Sequence, residues 1–270
     1  MKLRNLPHAD EVRRTILGMI YRGQASHLGT SMSMVEILIA AYGASDIDAI
    51  QNRRPDRDRI FVSKGHGAAC TYAVMHHFGL LDAATIETYH QNGSVLAGHV
   101  SHAVPNVEHS TGALGHGLPV AVGCAVGLRA RDMNGATVFC VMGDGEIQEG
   151  AVWEALMLAS HLRLTNLIPI VDNNRISSIT RTKDVINMEP LADRFGGFGF
   201  DVHHVDGHRV AALGEAIEAI RQGNRPGMII ANTVKGKGVS FAENDPIWHY
   251  RTLNEKTYAE AMAGLMEVQS

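Results

Sequence analysis

Cysteine is scarce in this chain: 270 residues hold three, Cys70, Cys124 and Cys140. An odd count without CxxC spacing excludes a fully paired disulfide framework and argues against a cysteine zinc centre. Each thiol lies in apolar sequence, the setting of reduced, buried cysteines in a cytoplasmic protein. No apolar run approaches the roughly 18 residues of a membrane span, and the opening MKLRNLPHAD lacks the apolar stretch of a secretory signal. Positive charge is not in excess, since 24 Lys and Arg stand against 28 Asp and Glu. That balance argues against nucleic acid or an anionic membrane as the main partner. No GxGxxG follows a first strand, so dinucleotide binding has no support. Repeats, low-complexity linkers and composition breaks are also missing, which points to one domain over residues 1–270.

What is present is an ordinary globular interior, 45% apolar, with abundant glycine and histidine. The pattern alternates helix and strand. Residues 10–24 read as a helix with Asp10 as N-cap and Val12, Ile16, Met19 and Ile20 on one face. Further helices are predicted over 34–42, 68–78, 114–131, 151–162 and 210–221, and strands over 59–62, 137–142, 167–171, 200–205 and 228–234. Continuous apolar strands separated by helices indicate an α/β fold: a parallel sheet with helices on both faces. The glycines and alanines of 114–131 weaken helix propensity and suggest close packing against another backbone or chain.

In such a sheet, ligands collect at the carboxyl ends of the strands. One strand runs into Gly143-Asp144-Gly145-Glu146 and the next into Asp172-Asn173-Asn174. A right-handed βαβ unit lays these loops side by side, so Asp144 and Asn174 can offer oxygens to one hard cation. The glycines admit phosphate to backbone N–H groups, and the following helix N-terminus favours it. Asp-Gly and Asn-Asn are also ordinary turn residues, so the pair alone leaves both readings open.

The run GDGEIQEGAVWEALMLASHLRLTNLIPIVDNNRIS resembles the transketolase family through this whole unit, including its GDG…N motif. Other segments are similar in family order: QASHLG (24–29), SKGH (63–66), AGH (97–99), STGALG (110–115), KGKG (235–238) and Trp248-His249. The resemblance implies a thiamine-diphosphate-binding fold, specifically the domain that holds the diphosphate through Mg2+, with Ca2+ an alternative. It implies metal ligation by Asp144, Asn174 and the main-chain carbonyl of Ile176. It further implies cofactor contacts from His66, Gly112, Leu114, Gly143, Gly145, Glu146, Asn174, Lys235 and His249. His27, His99 and His249 fall where the family lines its substrate channel, and Glu149 where it makes a contact between subunits.

The implied activity is transfer of a two-carbon ketol unit from a ketose or ketose phosphate to an aldehyde. In the family a second domain carries the aminopyrimidine-activating glutamate and the substrate-phosphate site, and neither is found here. The resemblance therefore implies a separate pyrimidine-binding subunit, the C-terminal half of a split transketolase, in an α2β2 assembly. Two competing readings share part of this pattern: the α subunit of a 2-oxoacid dehydrogenase or decarboxylase, and a non-catalytic thiamine-diphosphate-binding module. The sequence also departs from the family at Val100-Ser101-His102, where proline usually follows the third histidine motif, at His116, often glutamine, and at Tyr250, usually glycine. These departures direct the expectation towards a specialised sugar or an unusual acceptor.

Overall fold

The computed structural model describes residues 6–267, so residues 1–5 and 268–270 of the expected single unit lie outside the described residues. Five strands form one sheet: β1 (Arg59–Val62), β2 (Val138–Gly143), β3 (Leu167–Asn173), β4 (Asp201–Asp206) and β5 (Gly227–Asn232). Their order is β1-β2-β3-β5-β4, and every pairing is parallel. Because strand side chains alternate between faces, β2 splits its apolar residues between two cores. Phe139 and Val141 face one layer, with helices Ala9–Gly23, Val35–Gly43, Ala68–His77, Val210–Gln222 and Glu255–Glu267. Val138, Cys140 and Met142 face the other, with helices Gly117–Ala130, Gly150–His161 and Leu191–Gly197. The α/β expectation, with helices on both faces, holds. Each fully buried Leu, Ile or Val in these layers contributes about 1.5 to 3 kcal/mol of transfer free energy.

Several boundaries differ from expectation for identifiable reasons. Asp10 is not the N-cap: the first helix starts at Ala9 behind His8, and Asp10 lies inside its first turn, 3.6 Å from Arg13. An additional helix forms at Leu28–Ser33; all six of its residues are buried, so it shows no amphipathic period. The helix expected from Leu114 begins at Gly117, because Gly115 turns the chain at φ +83°. β3 continues through Asp172 and Asn173, whose ladder partners on either side are Gly143, Ala231 and Asn232. β4 lies at the sheet edge and is the one strand without a continuous buried run. Gly123 and Gly127 of the small-residue helix meet no other atom within 4 Å of a built Cβ, so their expected close packing is not made within this chain.

Candidate functional site

The carboxyl ends of four strands supply the site. β2 delivers Asp144 and its neighbour β3 delivers Asn174, with Gly143 and Asp172 in register. Asp144 and Asn174 are each 5% exposed and Ile176 is 8% exposed. The Asp144 carboxylate accepts the N–H of Gly145 (2.8 Å) and that of Arg175, which ties the two loops together. The Asn174 amide donates through Nδ2 to Asp172 (3.3 Å), and its Oδ1 accepts the Ile176 N–H (3.1 Å). Burial, reinforced by the nearby Asp172 carboxylate, pushes the Asp144 carboxyl up to about 7.

These residues fit a hard divalent cation. The three groups, a carboxylate, an amide oxygen and a carbonyl, are all oxygen donors, the set that Mg2+ or Ca2+ takes with phosphate and water completing the shell. A cation here would relieve both influences that raise Asp144. Among the described residues no three His, Cys, Asp or Glu side chains gather into an all-protein metal centre. The Ile176 carbonyl already accepts Lys235 Nζ at 3.0 Å; a carbonyl oxygen has two lone pairs, so the lysine does not preclude metal ligation. Burial, then the Lys64 charge, lowers the Lys235 ammonium to about 8.

Two buried acids organise the loops. Asp172 is 0% exposed and accepts Ser33 Oγ (2.6 Å), Lys64 Nζ, Thr233 Oγ1 and the Asn174 amide. Burial works to raise its carboxyl, but Lys64 and these donors outweigh it and hold Asp172 below the usual range. It thus joins the β1, β3 and β5 loops to the helix at Leu28–Ser33. Glu146 receives Gly115 N–H (2.9 Å), Gly143 N–H (3.1 Å) and Ser63 Oγ. Its carboxylate is therefore committed to backbone and hydroxyl donors of the surrounding loops. Lys64, Ser33 and Thr233 are not among the expected site residues; the one local signal in the sequence is an acidic residue ending an apolar strand.

Four of the histidines named from the sequence converge. The His27 ring centroid lies 5.5 Å from His66, 5.3 Å from His99 and 5.0 Å from His249. His27 sits at φ +70°, a left-handed conformation uncommon outside glycine, and its N–H donates to the His249 carbonyl (3.0 Å). Burial and neighbouring positive groups hold His27 down to about 4 and His249 down to about 3. The same causes put His66 well below its ordinary value. These three rings are neutral near pH 7, each able to donate one hydrogen bond and accept another. Lys235 Nζ stands 3.4 Å from His249 Nδ1, linking the rings to the Asn174–Ile176 loop.

The remaining predicted residues range from buried to exposed. Gly112 is exposed and Leu114 half-buried, and a Cβ on Gly112 would rest 3.4 Å from the His99 ring. Gly143 is buried at the end of β2, and Gly145 is half-buried. Glu149 is exposed at the start of helix Gly150–His161, without a side-chain capping bond. Of the departures, Tyr250 packs edge-on against His249 (4.8 Å), and His102 bonds Ser110 (2.6 Å). A cavity of about 870 Å3 opens beside Asp144, Asn174 and Ile176, also walled by Arg175 and Arg181, but none of the four histidines lines it. The convergence of titratable rings, rather than cavity size, marks the candidate site.

Residues 7–265 match the family described as transketolase, thiamine diphosphate binding domain. The chain belongs to the transketolase family. It is 38% identical over 246 residues to a protein of Actinobacillus succinogenes named as one subunit of apulose-4-phosphate transketolase, covering 90% of this chain and 89% of that one. It is 35% identical over 260 residues to a 6-deoxy-6-sulfo-D-fructose transketolase subunit of Clostridium sp. (strain MSTE9), covering 95% and 94%. Among solved structures, the transketolase of Campylobacter jejuni superposes with a TM-score of 0.85 at 28% identity. That match covers 96% of this chain but 42% of the longer one. The family domain names thiamine diphosphate as its ligand, and transketolase relatives do not favour the 2-oxoacid dehydrogenase and non-catalytic readings.

Proposed function

We propose that this chain is the thiamine-diphosphate- and metal-binding subunit of a two-subunit transketolase, moving a two-carbon ketol unit from a ketose to an aldehyde. The observation that carries this reading is the joining of Asp144, Asn174 and the Ile176 carbonyl to a cluster of four histidines through Lys235. Asp144, Asn174 and Ile176 hold Mg2+, with Ca2+ the alternative, while His66, Lys235 and the backbone at Gly143 and Gly145 receive the diphosphate. Gly112 and Leu114 wall the thiazolium. When bound, thiamine diphosphate supplies the carbon nucleophile that cleaves the ketose and retains its two-carbon unit.

The chain's own groups then handle protons and water. His27, His99 and His249 hydrogen-bond the sugar hydroxyls and carbonyl, and their crowding excludes solvent from the reacting atoms. The two relatives are named for a ketose phosphate and a sulfonated ketose. These names support a ketose with an anionic end, and the departures at Val100-Ser101-His102, His116 and Tyr250 support a specialised sugar or an unusual acceptor.

The partner is a separate pyrimidine-binding subunit in an α2β2 assembly, with Glu149 at the interface. The relatives named as subunits support that division. So do the exposed apolar side chains Val120, Met157 and Leu158 on two helices that pack together, Gly117–Ala130 and Gly150–His161, apolar area suited to burial against another chain. Among the described residues no helix is long and apolar enough to cross a membrane. The three cysteines are unpaired, and a cytoplasmic location accords with that. Co-expression with a candidate C-terminal-half chain encoded nearby, followed by assay of ketose cleavage, tests the reading. Turnover that requires both chains supports it; full turnover by this chain alone contradicts the two-subunit division.

A further inference from the structure

One buried charged cluster takes no part in the chemistry above. Arg13 and Glu36 are 3% and 5% exposed, on two helices that pack together, Ala9–Gly23 and Val35–Gly43. Arg13 Nη1 and Nη2 donate to the two Glu36 oxygens at 2.9 and 3.0 Å. His208, two residues beyond β4, places Nδ1 3.0 Å from Glu36 Oε2, and the Val234 N–H reaches its Nε2 at 2.9 Å. A backbone N–H can only donate, so Nε2 is the acceptor and the neutral ring carries its proton on Nδ1, directed at Glu36. Burial works to raise the Glu36 carboxyl, but the His208 hydrogen bond and Arg13 outweigh it and hold it ionised. Arg13 Nε donates onward to the Lys237 carbonyl (3.0 Å).

The cluster therefore grips the segment after β5 at two points, the Val234 N–H and the Lys237 carbonyl. Between them lie Lys235, whose ammonium enters the site, and Gly236, whose N–H donates to the Gly29 carbonyl (2.9 Å) at φ +83°. A buried ionic group is weak support for stability, since apolar residues of like volume often serve as well. Its geometry, by contrast, specifies where a segment sits.

We propose that His208, backed by Glu36 and Arg13, is a positioning residue that fixes the 233–238 segment and so aims Lys235 at the cofactor's diphosphate. The aiming of Lys235 rests on the function proposed above; the hold on the segment does not. The test uses the full chain with His208→Ala and His208→Gln, because glutamine can both accept from Val234 and donate to Glu36. Amide exchange followed by mass spectrometry should show residues 233–238 exchanging about tenfold faster in the alanine variant, the loss of one such hydrogen bond. Strand β2 should keep its protection, and glutamine should restore the wild-type rate. Equal acceleration throughout the chain, or none at 233–238, overturns the proposal.

In the complex with the partner chain, affinity for thiamine diphosphate with Mg2+ should fall about tenfold in His208→Ala and recover in His208→Gln. Undiminished affinity in the alanine variant overturns the link to Lys235. If the wild-type complex binds no cofactor, the proposed function fails, while the exchange measurement still decides whether His208 holds the segment.

Discussion

At the residue scale, the site rests on oxygen donors whose roles separate experimentally. Replacing Asp144 with Ala removes the proposed metal ligand, and calorimetry should show metal-dependent cofactor affinity falling on the order of a hundredfold or more. His99→Ala should leave that affinity unchanged and slow turnover on the order of a hundredfold, the scale of a lost proton-transfer or hydrogen-bonding group. Unchanged affinity in the Asp144 variant would sink the metal assignment. Lys64 and Asp172 form an ion pair exposed 1% and 0% at its side chains. Asp172→Ala leaves a buried ammonium unpaired and should destabilise the chain by about 3 to 5 kcal/mol in urea unfolding. Asp144 and Asn174 are legible in the sequence because each directly follows a strand that opens as an apolar run. The Lys64–Asp172 pair is not, since 108 positions separate its members and no local pattern registers their meeting.

At the element scale, the β2–helix–β3 unit is the most readable part of the fold. Its strands are continuous apolar runs and its turn is Gly-Asp-Gly, so local preference and burial agree. Its ends are less readable: Asp172 and Asn173 look like loop, but stay in the ladder because their side chains are satisfied inside. The helix at Leu28–Ser33 is hidden for a similar reason, its polar Thr30, Ser31 and Ser33 being as buried as its apolar residues. The segment after β5 depends on Gly236, where an added Cβ would collide with the Ala242 carbonyl. Gly236→Ala should destabilise the chain by about 1 to 3 kcal/mol in thermal unfolding. It should also weaken cofactor binding by displacing Lys235; retention of both properties would show that the turn is not strained as described.

At the scale of the whole molecule, the histidine cluster makes folding sensitive to acid. An unfolded imidazole titrates near 6.5, whereas His27 is held down to about 4, and burial moves His66 the same way. Below pH 6.5 the unfolded chain therefore takes up protons that the folded chain refuses. The stability these histidines contribute is fully present above about 6.5 and declines as pH falls towards 4, outweighing the opposite contribution of Asp144. Melting temperature should drop between pH 7 and pH 5, and less in His27→Asn; equal drops in the two would remove His27 from the account.

The parallel sheet is largely foreseeable, while the proposed assembly rests on surfaces that sequence periodicity does not distinguish from solvent-facing ones. The most direct test of the central claim is titration of thiamine diphosphate with Mg2+ into the chain, with and without its partner, while ketose cleavage is followed. Tight, metal-dependent binding that appears with the partner and brings cleavage is the predicted result. Absence of binding in both conditions would contradict the account, leaving a transketolase fold put to another use.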